Sequence, residues 1–359
     1  MLKKYYPWIV IGLTLVVVIL SFIFIIYKND CQNFAVSIPE LLHREKAILI
    51  KDFKLPEIEP ASVSLIAVGD VMLSRDADTF MKKLGGYDYP YLETASYLQS
   101  GDIVFGNLET PITPGRKITT EEMVFRADPE NASALKKAGF TIMSLANNHI
   151  MNFGMNGFAD TKKYLDEADI KYIADSERTD IEIKGMEFAF IAFAYNFSMN
   201  TDKLTWLVEE AKKQVDFVIV SMHAGTEYSA TANTQQINFA HTAIDAGADL
   251  VLGHHPHVIQ PIEKYKDKYI FYSLGNFVFD QMWSEETKKG LMAKINFTTS
   301  GVQDIELQAV YIKDYCRPGY SNKADSVYDR LQINMNMEKV MLWPEGMDNI
   351  LEINRAFIK

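Results

Sequence analysis

The stretch Asp249-Leu250-Val251-Leu252-Gly253-His254-His255-Pro256-His257 decides the fold. An apolar run leads into three of the chain's seven histidines. Such a run reads as a buried strand ending in a turn. A strand end that delivers closely spaced imidazoles to a loop suits a metal site, because neutral imidazole is a strong ligand for transition metals. Pro256 fixes one backbone angle, so His255 and His257 are expected to stand apart in an extended stretch. A polar surface turn is the plain alternative.

Working outward from this strand, apolar strand-like runs alternate with amphipathic helical ones from Val63 onward, the pattern of an α/β domain. The spacing predicts strands at 63–68, 103–105, 141–145, 188–194, 217–222 and 250–252, and helices near 76–84, 129–138, 157–168, 202–214 and 234–246. Residues 258–272, with Lys266-Asp267 at the middle, read as a hairpin, and strands follow at 291–297 and 305–312.

Six of these runs end in polar clusters: Gly69-Asp70, Gly106-Asn107-Leu108-Glu109, Asn147-Asn148-His149, His223 through Glu227-Tyr228, the histidine cluster itself, and Ser273-Leu274-Gly275-Asn276-Phe277. In an open α/β sheet the C-terminal strand ends line the binding crevice, so the six would converge on one site. Each has a plain structural explanation when taken alone. Asp70 could cap a helix, Asn107 and Asn148 could fill turn positions, and His149, His223 or Glu227 could be an ordinary buried or solvated side chain. Their common place at six strand ends is what argues for a site. Asp70, Asn107, Glu109, Asn148, His223, His255 and His257, with His149 beside them, offer oxygen and imidazole donors without sulfur, a set that suits Mn, Fe, Zn or Mg. A metal held there would polarise a phosphoryl or carbonyl oxygen and supply hydroxide near neutral pH.

The 359 residues allow one large domain or two ordinary ones, and 48% hydrophobic content is that of a folded protein. A net charge of -11 argues against a general nucleic-acid partner. It leaves anionic substrates open, since a bound metal inverts the local field. Two cysteines, Cys31 and Cys316, give neither a disulfide framework nor a cysteine-based zinc site.

Residues 5–27 carry no charge, and the twenty residues 8–27 would span about 30 Å as a helix, the thickness of a bilayer core. Tyr5, Tyr6 and Trp8 at one end and Tyr27 at the other fit interfacial belts. A cleaved signal peptide is the alternative, but the stretch is long for one and no small-x-small site follows it. Lys3 and Lys4 favour a cytoplasmic N-terminus. The expected organisation is a cytoplasmic tip and single transmembrane anchor over 1–27, a tether over 28–60, a folded extracytoplasmic body over 61–320, and a C-terminal extension over 321–359 that shows no motif.

The ordered set Gly-Asp, Asn-Leu-Glu, Asn-Asn-His, His-x-Gly-x-Glu-Tyr, Gly-His-His-Pro-His-Val and Ser-Leu-Gly-Asn-Phe closely resembles the bacterial capsule-synthesis (CapA/PgsA-like) family, over residues 63–280. That family is tied to poly-γ-glutamate synthesis and export and is itself similar to calcineurin-like metallophosphoesterases. The resemblance implies a four-layer α/β/β/α sandwich of the metallophosphoesterase type and a divalent metal (Mn, Zn, Fe or Mg, one or two ions). It also implies a cell-membrane location, an anionic polymer such as poly-γ-glutamate as partner, and contact with other capsule synthase subunits.

By the same resemblance Asp70 takes the place of the first-strand aspartate, Asn107 of a bridging aspartate, and Asn148 of the ligand asparagine. His149 takes the place of the histidine that assists the leaving oxygen, and His223, His255 and His257 of three ligand histidines. Asp70, Asn148 and His149 are then the catalytic set, and His254 a supporting neighbour. Two departures matter. Met72 stands where those enzymes carry the histidine of Asp-x-His, and Asn107 where they carry the aspartate of Gly-Asp. With only Asp70 and Glu109 as carboxylates, plus Glu227 if it reaches, two divalent ions would be under-neutralised, and a single ion is the alternative. Ala224, where the family usually has tryptophan, would widen the pocket or remove a stacking surface. Three functions fit: a membrane-anchored capsule biosynthesis protein, a metal-dependent hydrolase of phosphoester or γ-glutamyl bonds, and a non-catalytic polymer-binding scaffold.

Overall fold

The computed structural model describes residues 62–197 and 199–321, with the backbone of 340–342 and 351–352. The expected anchor over 1–27, the tether over 28–60 and nearly all of the C-terminal extension lie outside the described residues. Among those described, no helix is long and apolar enough to cross a membrane.

The protein is a mixed α/β sandwich of two sheets. The first sheet contains β1 (Val63–Val71), β2 (Ile103–Leu108), β3 (Ile142–Ser144) and β4 (Lys171–Ile173), all parallel to one another. The second contains β5 (Arg178–Ile183), β6 (Met186–Ala194), β7 (Phe217–His223), β8 (Leu250–His254), β9 (Ile262–Tyr265) and β10 (Lys268–Phe271), in the order β5-β6-β7-β8-β10-β9. The chain then returns to the first sheet with β11 (Asn276–Val278), β12 (Lys289–Thr298), β13 (Gly301–Lys313), β14 (Arg317–Gly319), β15 (Val340–Leu342) and β16 (Leu351–Glu352). The main path of that sheet runs β16-β15-β13-β12-β1-β2-β3-β4, with β11 on β1 and β14 on β13.

The continuous apolar runs of the sequence follow from burial on both faces. In β1, Val63, Leu65 and Ala67 enter the core between the sheets, while Ile66 and Val68 enter the core under the helices. β7 divides the same way, with Phe217 and Ile219 inside and Val218, Val220 and Met222 outside. Aromatic rings fill the space between the sheets: Phe105 stacks on Phe190 at 5.9 Å, and Phe297 meets Phe188 and Phe217 at 5.3 and 4.9 Å.

Helices cover both outer faces. α1 (Arg75–Leu84), α2 (Ala95–Leu98), α3 (Glu130–Ala138) and α4 (Gly154–Glu167) follow strands of the first sheet, and α5 (Thr201–Lys212) and α6 (Thr234–Asp245) those of the second. α5 starts where the Asn200 side chain accepts the Lys203 N–H. α6 starts at a full capping box between Asn233 and Gln236, which satisfies two otherwise orphaned N–H groups. The hairpin foreseen around Lys266-Asp267 is β9–β10, and both turn residues have positive φ (47° and 63°).

Candidate metal centre

Register fixes where the polar residues meet. In the first sheet Asp70 pairs with Asn107 and with Asn276, and Asn107 pairs with Ser144. In the second, Ala194 pairs with His223 and His223 with His254. The C-terminal ends of parallel strands from both sheets therefore carry the site. The strands run further than the apolar pattern predicts, and Asp70, Asn107, His223 and His254 belong to them. Pro256 does not hold an extended stretch. His255 and His257 have φ of 97° and 59°, in the left-handed region that costs a side-chain-bearing residue energy.

Glu109 lies at the centre. It is fully buried, and its Oε1 has no hydrogen-bond partner. That oxygen is 4.0 Å from His149 Nε2, 4.0 Å from His223 Nε2 and 3.9 Å from His257 Nε2. Three overlapping groups have ligand atoms close enough to share an ion: Glu109, His223 and His255; Glu227, His255 and His257; Asp70, Glu109 and His257. Glu227 thus reaches the cluster. His255 Nδ1 is also buried without a partner. Buried polar atoms are ordinarily paired, so these orphans fit a cation between them.

The asparagines set the tautomers. Asn276 donates Nδ2 to the Thr287 carbonyl at 2.9 Å, so its Oδ1 faces His257 Nδ1 at 3.0 Å, keeps a proton there and makes Nε2 the nitrogen that is freed when the ring gives up its other proton. Asn152 Oδ1 accepts the Phe125 N–H at 2.7 Å and faces His149 Nδ1 at 3.0 Å, which puts the proton there and leaves Nε2 as a lone pair. Asn147 donates to the Leu108 carbonyl at 2.8 Å and to Asn107 Oδ1 at 3.1 Å. Asn107 therefore turns its nitrogen to the site, 2.8 Å from Asp70 Oδ1 and 3.2 Å from His223 Nδ1. Asn148 Oδ1 is 2.8 Å from His223 Nε2.

Asp70 is enclosed. It receives the His255 N–H at 3.2 Å and lies 3.3 Å from His257 Nδ1 and 3.4 Å from His254 Nδ1. His254 is fully buried and joins none of the three ligand groups. Met72 is turned into the core beneath the helices, its sulfur accepting the Ser74 N–H. Ala224 packs into the core outside the second sheet and does not line the cavity.

Charge in this buried space is unevenly shared. Burial opposes ionisation of Asp70, but bonds from His254 and His257 hold it well below the usual carboxylate range. Burial and the neighbouring Asp70 push Glu109 well above that range. Burial opposes the charged form of His257 as well, yet Glu109 and Asp70 raise it to about 9. Burial lowers His149 and His255 to about 4, and His223 well below its ordinary value. Asp70 and Glu109 thus favour a proton on His257, and ligands of this kind release protons when a metal binds.

Beside the cluster a cavity of about 250 Å³ is lined by His149, His257, Glu227, Tyr228, Arg75, Asp280 and Trp283 among others. Phe125 stacks on His149 at 3.8 Å and lies under the Arg75 guanidinium at 4.6 Å. Sequence reasoning did not single out Arg75, Asn152, Asn276 or Asp280 as site residues. The available signal was proximity, since each falls within five residues of Asp70, His149 or Asn276, or is itself in a strand-end cluster.

Residues 64–281 match the family described as bacterial capsule synthesis protein PGA_cap. The chain is similar to the capsule biosynthesis protein CapA of Bacillus anthracis, 30% identical over 330 residues that cover 84% of this chain and 80% of that protein. It is similar to the PGA biosynthesis protein CapA of Bacillus subtilis, 32% identical over 272 residues that cover 69% and 71%. A putative 5'-nucleotidase of Staphylococcus aureus, solved in complex with alpha-ketoglutarate, aligns over 76% of this chain and 58% of that one, with a TM-score of 0.46 and 13% identity.

Proposed function

This chain belongs to the bacterial capsule synthesis protein family PGA_cap, and from that premise we propose that it serves the biosynthesis of a poly-γ-glutamate capsule through a divalent metal centre. We place the body outside the cytoplasm, anchored by residues 8–27, in a four-layer sandwich of the metallophosphoesterase type. The observation that carries the metal reading is Glu109 Oε1, buried, unpartnered and about equally far from the Nε2 atoms of three histidines.

Asp70, Glu109, Asn148, His223, His255, His257 and Glu227 would hold one or two ions drawn from Mn, Zn, Fe or Mg. Asn107 would hold Asp70 in place through its amide nitrogen. A bound divalent ion supplies Lewis-acid polarisation of a phosphoryl or carbonyl oxygen. The chain's own part is orientation and proton transfer. Asn152 fixes the His149 ring with Nε2 as its lone pair. Once protonated, that nitrogen would hand its proton to the leaving oxygen or nitrogen of a phosphoester or γ-glutamyl amide.

The replacements at Met72 and Asn107 favour a second reading, a scaffold that binds polymer without cleaving it. Metal analysis of the purified chain, with turnover of γ-glutamyl and phosphoester substrates, separates the two. The hydrolase reading expects stoichiometric metal and activity that His255→Ala abolishes. Retained activity in that variant would sink the metal mechanism. Full rescue of capsule formation in a deletion strain by a metal-free His255/His257 double variant would favour the scaffold.

A further inference from the structure

We propose that Arg75 is a receptor for a substrate carboxylate, specifically a free α-carboxylate of a γ-linked glutamyl chain; the substrate class rests on the polymer reading above. The backbone supplies the first sign. Arg75 has φ of 53°, a conformation that costs a long side chain energy and is kept where the surroundings impose it. Those surroundings are a buried aspartate and an aromatic face. Asp280 takes Arg75 Nε at 3.1 Å and Nη2 by its other oxygen, and also accepts the Asp76 N–H at 3.1 Å. Phe125 lies 4.6 Å beneath the guanidinium. The fork is thereby fixed along one edge and one face.

A guanidinium has five N–H donors. Asp280 uses the Nε edge. The two hydrogens of Nη1 and the second of Nη2 have no acceptor among the described residues, although Arg75 is almost fully buried and lines the cavity beside His149 and His257. That second edge has the geometry for a bidentate bond to a planar carboxylate. Asp280 balances the charge of Arg75, and Glu227 lines the same cavity, so a monoanion is repelled less than a phosphate dianion. Tyr228 and Trp283 form the opposite kind of surface, edge to face at 4.7 Å and both exposed. A γ-glutamyl repeat carries one carboxylate and two methylenes, which match a fixed fork and an apolar wall.

Calorimetric titration of the full-length chain tests this with two probes. One is a γ-glutamyl pentamer with free α-carboxylates; the other is the same pentamer with α-carboxamides. The acid should bind about tenfold or more tightly than the amide. Arg75→Lys keeps a cation for Asp280 but lacks the second edge. It should lose about tenfold for the acid and nothing for the amide, with its unfolding temperature checked alongside. Equal binding of both pentamers by the wild-type chain, or unchanged acid binding by Arg75→Lys, would overturn the assignment while leaving the polymer reading intact. Binding of neither pentamer would remove the polymer reading and this assignment together. Displacement of the acid pentamer by inorganic phosphate at comparable concentration would give the site to phosphate and overturn the proposal.

Discussion

Asn276 shows how a residue with no charge can control a charged site. It is fully buried, donates to the Thr287 carbonyl and to Gln281, and so presents only oxygen to His257. Replacement by alanine frees the imidazole to adopt the other tautomer. Metal affinity should fall by about 10–100-fold, measured by competition with a chromophoric chelator. Asn276→Asp keeps the acceptor oxygen and should retain affinity within a few-fold of the wild type. If Asn276→Ala binds metal as well as the wild type does, the tautomer argument fails. The residue also marks how far the sequence could be read. Glu109, His223, His255 and His257 stand out by type and by position at strand ends, and the fold brings them together. The roles of Asn276 and Asn152 depend on which carbonyl or N–H lies on the far side of each amide, and contacts such as Phe125 to Asn152 are made by residues distant in sequence. No spacing rule encodes those.

At the level of elements, the site requires backbones to pass unusually close. Gly69 precedes Asp70, and a Cβ there would lie 2.0 Å from the Gly275 carbonyl oxygen. Gly253 precedes His254, and a Cβ there would lie 2.1 Å from the Tyr272 carbonyl oxygen. Neither contact can relax by rotating a side chain, because the obstacle is backbone. Gly253→Ala should therefore destabilise the fold by about 3 kcal/mol or more, read as a shift in the denaturant midpoint. A midpoint within error of the wild type would show that β8 and the chain after β10 separate more easily than their packing suggests. The long central strands were legible because burial on both faces makes them continuous apolar runs, as in β1 and β7. The missed strands are of another kind. β5, Arg-Thr-Asp-Ile-Glu-Ile, is a partly exposed edge strand with charges on one side. β4, β11 and β14 are three residues each; β11 and β14 exist because the longer β1 and β13 offer a free edge, and β4 pairs with the equally short β3.

For the molecule as a whole, the candidate ligands are divided between the two sheets. Asp70 and Glu109 come from β1 and the end of β2, whereas His223, His255 and His257 come from β7 and the turn after β8. Between the sheets lies an apolar core, and at this one end lie the buried side chains of Asp70, Glu109, His223, His255 and His257 beside an open cavity. A cation shared by both sheets would be bound by the folded state and not by the separated strands. Its binding free energy is then a contribution to folding, about 2.7 kcal/mol at a free metal concentration one hundred times the dissociation constant. For a body of this size that corresponds to a rise in unfolding temperature of roughly 5–10 °C. The rise should grow with the logarithm of metal concentration, vanish with a chelator and be largely lost in His255→Ala. The control is Lys266→Ala, whose partner Asp245 lies on the exposed surface away from the ligand groups; this variant should show the full metal-dependent rise. An unfolding temperature that does not move with saturating Mn or Zn would mean that no ion bridges the sheets.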